Sequence, residues 1–240
     1  MENKEILQKT ADWVKKILSG ENSGHGWDHA KAVWENAREI GSTEEKAEML
    51  VVELAALLHD INDWKKEVLD DERSADMAQN WLTEIGVSKT VIENVLEIIK
   101  KVSYYGPNFI EEEIPIEGKI VRDADRLEAI GVIGWERTVQ FGKAKNLPDL
   151  NEFLPNLNLT DEEYKNIKRK ENSSVNHVFE KLLLLKNRLV TKRGKEMGMV
   201  KHEELKSVVR SFLYGELGKN TVPDERIREY LAMLDEPRFN

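Results

Sequence analysis

Apolar residues recur along this chain at three- and four-residue spacing, the period of helices that bury one face. The first such stretch lies before Gly20, with Ile6, Val14, Ile17 and Leu18 among its apolar positions. Ser19 to Asp28 is rich in Gly, Ser and Asn and reads as a loop, with Asp28 or a near neighbour placed to cap the next helix. That helix carries His29, Val33, Ala37 and Ile40 on one stripe and stops at Gly41. The next begins at Ser42 or Thr43 and runs through LVVELAALLHD, where nearly every side chain from Leu50 to Leu58 is apolar, apart from Glu53. A helix apolar all round is central and buried. His59 and Asp60, at its end, therefore stand at the edge of the deepest core.

Two amphipathic helices follow over 70–82 and 89–101, divided near Gly86. The stretch 103–118, with Tyr104, Tyr105, Pro107 and Pro115, reads as an exposed loop. Residues 116–140 form another core helix, 142–160 an irregular insert, and 172–191 a helix burying Val175, Phe179, Leu182, Leu183, Leu189 and Val190. Helices near 201–214 and 223–234 complete the chain, and His202, among charged neighbours, reads as surface. No internal repeat, heptad seam or strand-rich stretch interrupts this pattern. The fold class is all-α. One helical domain over 1–240 is expected, with a core of about 20–140 and C-terminal helices of about 172–234 closing a pocket.

Composition narrows the chemistry. With 240 residues, 40% hydrophobic and 34% charged, the chain can bury a sizeable core. A net charge of −9 argues against a nucleic-acid partner, since no broad basic surface steers a polyanion. The absence of cysteine excludes disulfides, thiolate catalysis and cysteine metal sites. No apolar run approaches membrane-spanning length and no leader-like segment opens the sequence, so a cytoplasmic protein without a membrane partner is expected.

The helical pattern brings His29, His59-Asp60 and the region of Asp125 toward a common interior. Leaving even a neutral polar group buried and unpaired costs about 2–7 kcal/mol, and an aspartate is almost never buried without a partner. A cap or an ion pair to Lys65, Lys66 or Arg126 explains one such acid; a single divalent ion satisfies two His and two Asp together. Spacing alone leaves Asp123 and Asp125 as alternative ligands. Two imidazoles and two carboxylates suit Mn²⁺, Fe²⁺, Co²⁺, Ni²⁺ or Zn²⁺, with Mg²⁺ also admissible.

These motifs resemble the HD superfamily of metal-dependent phosphohydrolases, and within it the compact bacterial YpgQ/YedJ-like branch. IEGKIVRDADRL is similar to that branch's LEGKIVxDADRL, DADRLEAIGVIG to its DADRLDAIGAIG, and SSVNHVFEKLLLLK to its SxNHFYEKLLKLK. The likeness covers roughly residues 20–220. It implies a single-domain HD-type bundle whose metal ligands are His29, His59, Asp60 and Asp125, with one divalent ion, often manganese. Departures are Gly26 and Ala32 where the branch has Asp and Arg, and Leu189-Val190-Thr191 where it has MNT.

Asp60 and Asp63 are the candidate catalytic carboxylates. Asp63, three residues beyond Asp60, is placed to hydrogen-bond an attacking water or orient a ligand imidazole. Lys65, Arg126, His177 and Lys181 are candidate contacts to a phosphorylated substrate. The expected reaction is hydrolysis of a nucleotide phosphoanhydride, chiefly nucleoside triphosphate to monophosphate and pyrophosphate. The alternatives are a nucleotide phosphomonoesterase, a cyclic-nucleotide phosphodiesterase, or a catalytically weak metal- or nucleotide-binding protein. A monomer or homodimer is expected.

Overall fold

The structure, a computed structural model, describes residues 2–20, 26–61, 71–104, 106, 109–166 and 168–239. No strand occurs among the described residues, and no described helix is long and apolar enough to cross a membrane. The chain divides into two compact units: 1–104, 111–128 and 190–194 form one, and 105–110, 129–189 and 195–240 form the other.

The first unit is built from α1 (Asn3–Ile17), α2 (Trp27–Gly41), α3 (Met49–Leu58), α4 (Asp71–Glu84), α5 (Lys89–Ile99) and α6 (Ile116–Glu128). The all-apolar α3 is its centre, packing against α1, α2, α5 and α6. Leu54, Ala55, Ala56, Leu57 and Leu58 are all fully enclosed. Its one charged side chain, Glu53, accepts a hydrogen bond from Trp34 Nε1 at 2.8 Å and lies 3.5 Å from Arg38. The expected apolar stripe of α2 is buried throughout, at His29, Val33, Ala37 and Ile40. Gly86, at φ +75°, ends α4 in the left-handed conformation that glycine adopts without strain.

Several expected boundaries move. Of the expected cap, Asp28 or a near neighbour, it is the neighbour Gly26 that is the N-cap of α2, with no side-chain cap; Asp28 sits in the first turn, where its charge favours the helix N-terminus. Residues 42–48 form turns rather than the start of α3. The expected helix over 116–140 is two helices, α6 and α7 (Gly131–Ala144), because Gly131 takes φ +89° and Ile130 is extended.

The second unit holds α7, then α8 (Asp161–Lys165), α9 (Ser174–Glu180), a 3₁₀ turn over Leu182–Arg188, most of α10 (Lys192–Glu216) and α11 (Asp224–Met233). Continuous helix over 172–191 is not formed: at Lys181 the backbone leaves the α region, and the 3₁₀ turn buries Leu182, Leu183 and Leu185. His202 is a correction. It is buried on the α10 face shared with Leu205, Val209 and Leu213, and its Nε2 lies 2.7 Å from the carbonyl of Phe239. The helix starts at Lys192 rather than near 201, which puts His202 on an inward stripe its charged neighbours disguise.

One buried carboxylate fixes the start of α10. Asp123 accepts hydrogen bonds from the backbone N–H of Val190 and Thr191, the latter at 2.8 Å, and from the Thr191 hydroxyl at 2.7 Å. Thr191 Oγ1 in turn accepts from the backbone N–H of Gly194 at 3.0 Å, as an N-cap does. A Cβ on Gly194 would lie 2.5 Å from both Asp123 Oδ2 and Thr191 Oγ1. In an ordinary helix Gly→Ala is stabilising. Here Gly194→Ala should instead destabilise by about 1–3 kcal/mol, the usual cost of overpacking a filled site. Urea unfolding checks this; an unchanged or raised midpoint would contradict the latch.

Candidate metal centre

The end of α3 carries the chemistry. The helix closes at Leu58, and His59 follows as its C-cap with a still-helical backbone. His59 Nδ1 lies 2.9 Å from the carbonyl of Ala56, one turn back, which ties down that nitrogen and turns Nε2 outward from the helix. Asp60 follows in the same turn.

His29 on α2 and Asp125 on α6 meet this turn. His29 Nε2 is 3.8 Å from Asp60 Oδ2 and 3.6 Å from Asp125 Oδ1, and His59 Nε2 is 3.8 Å from the same Asp125 oxygen. The two imidazoles stand 5.3 Å apart, edge to face. His29, His59 and Asp125 each direct a ligand atom to one spot, all within 4.8 Å of one another. Donor atoms sharing one ion at bonds of about 2.1 Å lie about 3–4 Å apart. The residues present therefore fit a divalent ion. His59 Nε2 strengthens that fit: it is buried and makes no hydrogen bond. The side chains of His29 and His59 are almost wholly enclosed, whereas that of Asp125 is 29% exposed, so the centre meets solvent on the Asp125 side.

The electrostatics ask for positive charge. Burial by itself lowers the His59 pKa, but Asp125 and Asp60 outweigh it and push the group up to about 9. Without an ion the ring holds a proton at neutral pH, and an entering cation takes that proton's place.

The structure also separates Asp123 from Asp125. Asp123 is fully buried on the other side of α6, bound to Val190 and Thr191, and burial raises its pKa against those hydrogen bonds. It is a structural latch, and Asp125 faces the imidazoles. The Asn36 side-chain amide donates to the Ala124 carbonyl at 3.2 Å and ties α2 to α6 beside Asp125. The Val190 departure is harmless to the latch, which uses the backbone of residue 190 while the Val190 side chain is exposed.

Among the expected substrate contacts, Arg126 is buried and ion-paired with Glu111, whose other oxygen lies 3.3 Å from Arg122. Lys181 is half-buried at the C-cap of α9. His177, half-buried on α9, stacks near Tyr164, with ring centroids 6.1 Å apart. Asp63 and Lys65 lie outside the described residues. Sequence reasoning missed Glu128, a buried acid whose Oε2 is 3.0 Å from His29 Nδ1. Its position one helical turn after Asp125 was the available signal.

An all-α fold whose central helix ends in His59-Asp60, with His29 and Asp125 closing on that turn, defines an HD-type metal-dependent phosphohydrolase. The chain belongs to the HD superfamily: the HD domain family matches residues 26–130, which include all of these side chains. It is similar to YpgQ of Bacillus subtilis, 35% identical over 200 residues that span 82% of this chain and 87% of that protein. The crystal structure of Bacillus subtilis YpgQ in complex with ADP superposes with a TM-score of 0.68 at 30% identity, covering 91% of this chain and 98% of that one. An HD-superfamily hydrolase from Bacillus thuringiensis gives 0.67 at 30% identity, covering 90% and 100%.

Burial, then Lys181 and Arg169, pull the His177 pKa down to about 3. His177 is thus neutral at physiological pH, able to hydrogen-bond but not to supply charge. Its ordinary value is about 6.5, so between pH 6.5 and 3 the unfolded chain binds a proton that the folded chain refuses. Stability from this residue is complete above pH 6.5 and is lost as pH falls toward 3. His177→Gln should flatten the acid limb of stability over that window, read as urea midpoints at successive pH values. A limb as steep as in the wild type would refute the assignment.

Proposed function

We propose that this protein hydrolyses a phosphoanhydride bond of a small nucleotide, converting a nucleoside triphosphate to monophosphate and pyrophosphate, with Mn²⁺ as the favoured ion. The observation that carries the reading is the convergence of His29, His59 and Asp125 with Asp60 beside them, partly open to solvent through Asp125. Structural likeness to YpgQ, a protein solved with ADP, supports a nucleotide as substrate.

His29, His59, Asp60 and Asp125 would hold the ion. When bound, it would acidify a water molecule and neutralise charge on the phosphoryl oxygens. Water adds across the α–β anhydride: its hydroxyl joins the α-phosphorus, and pyrophosphate leaves with the electron pair of the broken P–O bond. In this reading Asp63 accepts the proton of the attacking water and Asp60 keeps the imidazoles and carboxylates in register. Lys65 and Lys181 hold phosphate oxygens by charge, and neutral His177 by a hydrogen bond. Arg126 acts beside Asp125 with its charge shared with Glu111. Positioning and charge compensation supply most of the barrier reduction.

A manganese-supplemented panel of nucleoside tri-, di- and monophosphates, with product identification, tests the reading. Pyrophosphate from a triphosphate is the expected product; orthophosphate alone would overturn the choice of bond. His59→Ala and Asp60→Ala should lose bound metal and most activity together. Lys181→Ala should raise KM while leaving metal content intact, as loss of a binding contact does. Normal metal loading in Asp60→Ala would remove it from the ligand set.

A further inference from the structure

Glu128, the last residue of α6, has no task in the hydrolytic reading. Its side chain is only 4% exposed, and its Oε2 lies 3.0 Å from Nδ1 of His29. The other nitrogen of that ring, Nε2, faces Asp60 Oδ2 and Asp125 Oδ1. An imidazole binds an ion only through the nitrogen that carries no proton, and the partner of the other nitrogen makes the choice. For His59 a neutral backbone carbonyl, that of Ala56, stands at Nδ1. For His29 a carboxylate, that of Glu128, stands there.

We propose that Glu128 is the positioning residue of the metal centre: it keeps the ring proton of His29 on Nδ1, presents Nε2 as the donor, and strengthens that donor for a divalent cation. The proposal rests on the metal-centre reading. A carboxylate behind a histidine makes the opposite nitrogen more electron-rich than a carbonyl does. Glu128 also adds a third buried or half-buried carboxylate to Asp60 and Asp125 around the two imidazoles, a donor set that suits a divalent rather than a monovalent ion. Asp125 and Glu128 sit one turn apart on α6, so one helix supplies a ligand and the group that aims a second ligand. A carboxylate present only to balance a buried histidine would affect folding and leave metal affinity and ring tautomer unchanged.

The test uses wild type, Glu128→Gln and Glu128→Asp, stripped of metal and titrated with Mn²⁺ by calorimetry, with proton–nitrogen spectra of the imidazoles recorded on Zn²⁺-loaded protein. The expected wild-type spectrum places the His29 proton on Nδ1 and the ion on Nε2. Glu128→Gln should bind Mn²⁺ roughly tenfold more weakly, within the range of about 10–100-fold for lost outer partners, and Glu128→Asp should recover part of that loss. The His59 tautomer should not change. Wild-type affinity in Glu128→Gln, or coordination of His29 through Nδ1, overturns the proposal and leaves the metal centre standing. Failure of the wild type to bind any divalent ion overturns both. If Glu128→Gln does not fold, the wild-type imidazole spectrum decides on its own.

Discussion

Everything distinctive in this protein follows from placing negative charge at the end of a helix that has nowhere to put it. From Val51 to Leu58 the α3 helix is enclosed except at Glu53, and its end delivers His59 and Asp60 into a region where water is scarce. Asp125 and Glu128 arrive there from α6 and His29 from α2. Carboxylates gathered in such surroundings repel one another and have lost solvation. A proton on His59 is one answer, and its raised pKa expresses that demand. A divalent cation is the better one, since it satisfies imidazoles and carboxylates at once.

Helix α6 divides its polar residues by direction. Successive residues turn about 100°, so Asp123 and Asp125 point to nearly opposite sides, while Asp125 and Glu128 lie about 60° apart. Asp123 therefore reaches the first turn of α10, and Asp125 and Glu128 reach the imidazoles. Arg122 and Arg126, one turn apart, both meet Glu111, and Arg122 also bonds the carbonyls of Lys101 and Glu112. The loop before α6 is thereby bound to the helix that carries the site. The apolar residues between them, Ile120, Val121, Ala124 and Leu127, are fully buried.

The second unit keeps its own polar interior. Asn176 donates to the carbonyls of Phe153 and Glu171, and its Oδ1 accepts from the hydroxyl of Tyr230 at 2.6 Å. Glu180, almost fully buried, is held by Arg169 and by the backbone N–H of Asn156. These satisfied groups tie the irregular insert to α9 and explain why α9 is short: its last carboxylate is fixed in place, and the leucines after it are buried from a tighter turn.

The apolar period alone was enough to specify an all-α chain, the burial of α3 and the inward stripe of α2, because a helix that must hide one face announces it every three or four residues. It also singled out His29, His59 and Asp60, whose polar groups sit where apolar ones are expected, and left Asp123 and Asp125 as alternatives between which the family resemblance chose Asp125. Periodicity could not say which side of α6 faces the imidazoles, so the separate fates of Asp123 and Asp125 appeared only when α2, α3 and α6 were packed together. The pairing of Glu128 with His29 was hidden for the same reason: an acid at the end of a helix looks solvated until a neighbour covers it. The break at Gly131, the 3₁₀ turn after Lys181 and the burial of His202 likewise belong to tertiary packing. Local sequence records which residues want burial; contacts between distant segments decide what they are buried against.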